Sequence, residues 1–186
     1  PLLLPVDVVV ASVRAVVQPV SSSVIDAAPV RVRAGDHVDL TACVEALVGL
    51  GYERVDLVDR RGQVAVRGGI VDVFPPSEEH AVRIEFWGDD VEEIRHFSVT
   101  DQRSLDLLEH GLLAPAVREL LLTDEVREKA RELGIGAPGL SEMCQKIAAG
   151  IPVEGMESLT ALLDTSMVTL DDLLPRGTQI VVSEPE

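Results

Sequence analysis

The chain has 186 residues, 46% of them hydrophobic and 26% charged, a balance that supports a packed core and excludes a disordered chain. Thirty-two acidic side chains against 16 basic ones leave a net charge of −16, which repels phosphate backbones and acidic membranes and argues against unaided nucleic-acid binding. The most apolar stretch, residues 1–20, is interrupted by Pro5, Asp7, Arg14 and Pro19, so no run reaches the roughly 20 apolar residues of a membrane span.

That first stretch also lacks the basic start and small-residue cleavage site of a signal peptide. It opens on Pro1 with a strand pattern almost at once, which predicts a piece of a longer protein. Residues 6–10 are β-branched except for Asp7 and run into a helical pattern at residues 13–17, as in a buried parallel strand feeding a helix. A linker is predicted over residues 21–36, with one short strand at residues 30–32.

The pattern then changes. Asp39 or Thr41 can cap a helix whose Leu40, Val44, Leu47 and Val48 share one face, and Gly51 supplies its left-handed terminator. Period-two alternation appears at residues 63–67, Gly68-Gly69 follows, and residues 70–74 continue extended; Pro75-Pro76-Ser77 turns the chain, residues 82–87 alternate again, Gly88-Asp89-Asp90 reads as a hairpin turn, and residues 91–99 return. A helix with about four antiparallel strands is a small α+β module. Beyond it the spacing predicts helices over residues 104–113, 123–133, 141–149 and 156–163, then a strand at residues 178–182. The expected organisation is an α+β module, residues 39–105, inserted between two parts of a degenerate α/β domain, residues 1–38 and 106–186.

Most catalytic chemistries have no foothold. A phosphate loop needs Gly-Lys before a helix, and neither Lys129 nor Lys146 follows a glycine. His37, His80, His96 and His110 never form a close pair, no Cys-x-x-Cys exists, and Glu78-Glu79-His80 reads as a solvated turn. Asp72 and Glu85 on neighbouring strands could suggest a metal-dependent nuclease, but Trp87 occupies the place of the lysine that such a site wants, and salt-bridged strand positions explain both acids. No Gly-x-Ser-x-Gly elbow occurs, and Cys43 and Cys144 read as two buried thiols of a reducing compartment, with no histidine nearby in sequence. No catalytic residue, cofactor or metal ligand is assigned.

Strand parity singles out one surface. Along residues 82–87, Val82, Ile84 and Phe86 form a core set, and Arg83, Glu85 and the only tryptophan, Trp87, take the other face. Parity likewise turns Val64 and Val66 inward and Gln63, Ala65 and Arg67 outward. Within one sheet, Arg67, Arg83 and Trp87 would share a surface, and Arg and Trp are the residue types most enriched at binding hot spots. The competing reading pairs each arginine with a neighbouring acid, Glu85 or Glu93, and covers Trp87 with the outer segments.

Four blocks carry a resemblance: Gly51-Tyr52-Glu53-Arg54-Val55-Asp56, Arg67-Gly68-Gly69-Ile70-Val71-Asp72-Val73-Phe74-Pro75-Pro76, Val82-Arg83-Ile84-Glu85-Phe86-Trp87-Gly88-Asp89 and Asp101-Gln102-Arg103-Ser104-Leu105. Their order and spacing resemble the N-terminal UvrB-like region of the bacterial transcription-repair coupling factors. Residues 8–17, 151–157 and 173–182 look like that family's flanking segments, so the resemblance covers almost the whole chain.

The resemblance implies a non-catalytic adaptor whose inserted module binds UvrA, the damage-sensing ATPase of nucleotide excision repair, in competition with UvrB. It implies that Arg67, Arg83 and Trp87 contact UvrA, with Arg54 assisting. The family usually carries phenylalanine where Trp87 stands, a change that keeps the stacking surface and alters its shape. It further implies a cytoplasmic protein whose full-length parent is an ATP-dependent DNA translocase. The parent would engage RNA polymerase and DNA through other domains and mask this module against its own C-terminal domain. The alternatives are a fragment of UvrB itself or an acidic interaction domain with another partner. Asp101-Gln102-Arg103-Ser104 and the residues after Leu105 fit the coupling factors better than UvrB.

Overall fold

The computed structural model describes residues 8–183. Its centre is a six-stranded sheet in the order β3-β4-β5-β6-β7-β8, formed by Glu53–Arg54, Gln63–Arg67, Ile70–Val73, Ala81–Trp87, Asp90–Phe97 and Ser104–Leu107. Every ladder is antiparallel except that between β3 and β4. Two tight hairpins lie side by side at one end. Gly68 and Gly88 take positive φ at the first position of the two turns, and the Phe86 amide bonds to the Gly69 carbonyl between the hairpins (2.7 Å). A Cβ on Gly69 would sit 2.6 Å from the Phe86 carbonyl oxygen, so this junction admits only glycine.

One face of the sheet is covered by helix α3, Leu40–Gly49. Asp39 caps it by accepting from the Ala42 amide (2.7 Å), and Gly51 follows at φ 91°. Cys43, Val44 and Leu47 pack on Val64, Val71, Val73, Val82, Ile84 and Phe86. Val48, predicted to share that face, is exposed. The same core takes in Val32, Leu112 and Ala114 from the pair formed by β2 (Val30–Val32) and β9 (Leu112–Ala114), so the body built around the sheet extends on both sides of residues 39–105.

The other face, predicted to be open, is partly covered. Residues 55–58 and 97–99 close over it with a second small core of Val58, Ala65, Phe74, Ala81 and Phe97. Gln63 and Ala65 are therefore buried, not outward and exposed. Alternation correctly separates the two faces, but it cannot reveal that a distant loop folds back over one of them.

The segment from residue 104 to 113 is a correction. It forms β8 and β9, not a helix, because Leu105 and Leu107 also alternate with polar residues and the β7 edge offers them a ladder, Arg95 opposite Leu107 and Phe97 opposite Ser104. Gly111, at φ 78°, then brings the chain so close to Val32 that a Cβ would lie 2.5 Å from its carbonyl oxygen.

The flanking segments form a helical layer. Helices α4 (Asp124–Gly136), α5 (Ser141–Ala148) and α6 (Thr160–Leu163), with the 3-10 turn Met156–Leu159, enclose Leu120, Val126, Ala130, Cys144, Ile147, Met156 and Leu163. Helices α1 (Val13–Val17), α2 (Ser22–Asp26) and α7 (Leu170–Leu173) and the antiparallel pair of β1 (Val20–Ser21) with β10 (Met167–Val168) complete the described chain. Two predicted strands do not form among the described residues. Residues 8–10 and 178–182 are irregular and exposed, with no strand beside them to pair with; residues 6 and 7 of the first lie outside the described residues. Helix α2 occupies part of the predicted linker. Among the described residues no helix is long and apolar enough to cross a membrane.

One buried carboxylate ties these flanks together. Asp164 accepts hydrogen bonds from the hydroxyls of Ser21, Ser23 and Ser166 and from the Ser166 amide (2.8 Å). Burial pushes its carboxyl up, but the bonds from Ser166, Ser21 and Ser23 outweigh burial and hold it at about 2. A carboxyl depressed on folding contributes stability above its unfolded pKa of about 3.9, and that stability is lost as pH falls through the folded value.

Two predictions follow from these environments. Asp164→Asn should cost about 2 kcal/mol in urea unfolding at neutral pH, the difference from wild type shrinking between about pH 4 and pH 2; a constant difference across that range would refute the assignment. Among the described residues the buried Tyr52 hydroxyl has no hydrogen-bond partner, so Tyr52→Phe should leave stability unchanged or raise it by about 1 kcal/mol.

Candidate functional site

The sheet face away from α3 carries the side chains that parity selects. Register sets Ala65, Asp72, Arg83 and Arg95 in one row across β4, β5, β6 and β7, and Arg67, Ile70, Glu85 and Glu93 in the next row toward the hairpin tips. Trp87 ends β6 opposite Asp90, beside the Gly88-Asp89 turn, and is 75% exposed. Arg67, Arg83 and Trp87 therefore share one sheet and one end of it. Arg54 does not join them. It pairs in register with Val64, whose side chain belongs to the helix-covered face, and it stands exposed at the β3 edge.

The arginines are paired, though not with the acids expected. Both converge on Asp72, whose side chain is 2% exposed. Arg83 forks onto it, Nε to Oδ1 at 2.7 Å and Nη2 to Oδ2 at 2.9 Å, and Arg67 Nη2 reaches Oδ2 at 2.6 Å. Glu93 pairs with Arg95 instead. Strand parity alone could not single out Asp72 as the partner, because the choice depends on β5 lying between β4 and β6.

Arg83 is held on every side. Its guanidinium stacks on the Phe97 ring at 4.6 Å, and its Nη1 donates to the Gln102 carbonyl (3.4 Å). Gln102 takes the left-handed conformation at φ 60°, and its amide donates to the Val99 and Val58 carbonyls, joining the two loops that cover this face. The Asp101-Gln102-Arg103-Ser104 block thus has a structural role, to seat Arg83. The bonds from Asp72 raise the Arg83 pKa further, with burial working against them. Arg83 is only 11% exposed at its side chain, whereas Arg67 is 44% exposed.

The surface available to a partner is thus Arg67, Ile70, Glu85 and Trp87 around the two hairpin tips. An exposed indole and a half-exposed guanidinium at one end of the sheet suit a protein partner with an apolar side chain and an acid. Nothing in this arrangement resembles a catalytic constellation. Asp72, weighed above as a nuclease acid, is instead neutralised by two arginines, and Glu78 binds His96 (3.1 Å). Among the described residues no cluster of three or more His, Cys, Asp or Glu side chains is placed to hold a metal ion.

The buried and the exposed members of the face differ in what their loss should do. Arg83→Ala leaves Asp72 short of its main partner in a dry site and should lower the unfolding free energy by about 3 kcal/mol. Trp87→Ala should change it by less than about 0.5 kcal/mol, because the ring is mostly in solvent. Denaturant unfolding of both variants checks the contrast, and a collapse of Trp87→Ala would overturn its placement.

Comparison with known proteins finds a matching family and named relatives. The UvrB interaction domain model matches residues 30–118, a span that includes the six-stranded sheet, α3 and the β2–β9 pair. A transcription-repair-coupling factor of Mycobacterium tuberculosis is 45% identical over 98% of this chain, which covers 16% of that protein. One from Myxococcus xanthus is 35% identical over 88% of the chain and 15% of its own length. UvrABC system protein B of Lactococcus lactis is 34% identical over 56% of the chain and 15% of its own length. The chain thus spans about a sixth of the length of the relatives it matches. Residues 30–118 match the UvrB interaction domain family, within a stretch similar over nearly its whole length to transcription-repair-coupling factors.

Proposed function

We propose that this chain is the adaptor portion of a transcription-repair coupling factor, a non-catalytic piece that binds UvrA and so recruits excision repair to stalled RNA polymerase. The observation that carries the reading is a shared module. Two differently named repair proteins, the coupling factors and UvrABC system protein B, both resemble this chain, and the family match falls on the body that presents Arg67 and Trp87. A module shared by two components of one repair system is most economically explained by a partner common to both. The reading as a fragment of UvrB is less well supported, since similarity to that protein covers 56% of the chain against 98% for the coupling factor.

Within this reading, Trp87 supplies the apolar centre of the interface and Arg67 its charge, with Arg83 beneath them. Arg54, at the far edge, would contribute only to a partner broad enough to span the sheet. Translocation on DNA, contact with RNA polymerase and masking by a C-terminal domain belong to the remainder of a full-length parent, which would work in the cytoplasm. The chain itself would need no cofactor.

Titration calorimetry of the folded chain against purified UvrA tests the proposal. Arg67→Glu should weaken binding by roughly a hundredfold and Trp87→Ala by roughly thirtyfold, both without unfolding the chain. No binding by the folded wild type would sink the adaptor reading. Undiminished binding by both variants would move the interface elsewhere on the module.

A further inference from the structure

We propose that Asp72 is a positioning residue, a buried carboxylate whose task beyond folding is to hold the Arg67 guanidinium ready at the surface for a partner. The inference rests on the adaptor reading for its partner and on geometry alone for its mechanism.

The charge balance around Asp72 is the starting point. Arg83 by itself neutralises this carboxylate, since its fork engages both oxygens, Nε on Oδ1 and Nη2 on Oδ2. A second arginine is not required to bury the acid. Yet Arg67 is drawn onto Oδ2 as well, at 2.6 Å, so one anion serves two cations and the triad keeps a surplus positive charge. That surplus stands out on a chain with a net charge of −16.

The two arginines also differ in what they have left to give. Arg83 is stacked on Phe97, bonded to the Gln102 carbonyl and almost fully buried. Arg67 spends one Nη2 hydrogen bond on Asp72, and among the described residues its other N–H groups have no partner. A guanidinium offers five N–H donors in a rigid fork. Anchored by one of them, Arg67 presents the remainder at the same end of the sheet as Trp87, with its long side chain already restrained. A free arginine would lose that rotamer freedom on binding, so the anchor removes part of the ordering cost. Arg83 and the Gln102 loop act through Asp72, keeping the carboxylate oriented so that Oδ2 faces Arg67.

The test uses the whole chain and two backgrounds, because Asp72→Asn alone strands Arg83 in a dry site and can prevent folding. The second background, Asp72→Asn/Arg83→Met, removes the buried charges together and leaves no orphaned charge. Side-chain nitrogen relaxation of Arg67, measured without partner, should show an ordered guanidinium in wild type and a mobile one in the second background. In titrations against UvrA, Arg67→Ala should weaken wild-type binding roughly tenfold and the second background by less than about twofold. A purely structural role for Asp72 would leave the Arg67→Ala factor equal in both, and that result overturns the proposal. So does a mobile Arg67 in wild type, which would leave the adaptor reading intact if UvrA still binds. An ordered Arg67 that loosens in the second background, with no UvrA binding by wild type, would instead uphold the positioning role and reject the partner.

Discussion

The geometry of the partner face depends on one charge placed where a charge is expensive. Asp72 lies in the middle strand of three, almost without solvent, and an ionised carboxylate in such a place persists only if its oxygens are fully engaged. Arg83 engages them from β6, Phe97 and the Gln102 carbonyl fix Arg83, and Gln102 adopts a strained left-handed backbone to reach both covering loops. The covering loops and the surface arginine are thus connected through a single acid. Removing its partner disturbs all of them at once, whereas removing the exposed indole disturbs none.

The sheet that carries this acid is covered unequally on its two faces. Helix α3 and the β2–β9 pair seal one face with aliphatic packing, which supplies rigidity. The opposite face is sealed only at the end of Phe74, Ala81 and Phe97, leaving the hairpin tips bare. A binding surface on β-strands next to a packed core is held more firmly than one on a long loop, and the glycine junction between the hairpins keeps Trp87 and Arg67 on adjacent tips.

The flanking helices are joined to this body through polar contacts more than through a shared core. Arg118 crosses Gly51 so tightly that a Cβ there would lie 2.9 Å from its Cγ, donates to the Gly51 carbonyl and pairs with Glu157 beside the helical layer. The Asp164 cluster closes the same layer onto the segment that precedes β2. The helical layer keeps its own apolar cluster, separate from that beneath the sheet. Two bodies with separate cores and polar straps fit a module carried within a larger chain.

Short-range pattern was enough for much of this. The Asp39 cap, the Gly51 terminator, the Gly88-Asp89 hairpin, the limits of β4 and the division of the β6 residues between two faces all follow from spacing and turn chemistry, because each depends on residues within a few positions. The outward set of Arg67, Arg83 and Trp87 was legible for the same reason. What spacing left open was decided by neighbours far along the chain. The stretch 104–107 became a strand because the β7 edge was free to take it, and Ala65 was buried because residues near 58 and 97 folded over it. Likewise, residues 8–10 and 178–182 have strand composition but no ladder beside them. Only the tertiary structure could separate the two arginines, one locked on Asp72 and one half in solvent, since strand order and covering loops set burial and neither is written in the period of a single strand.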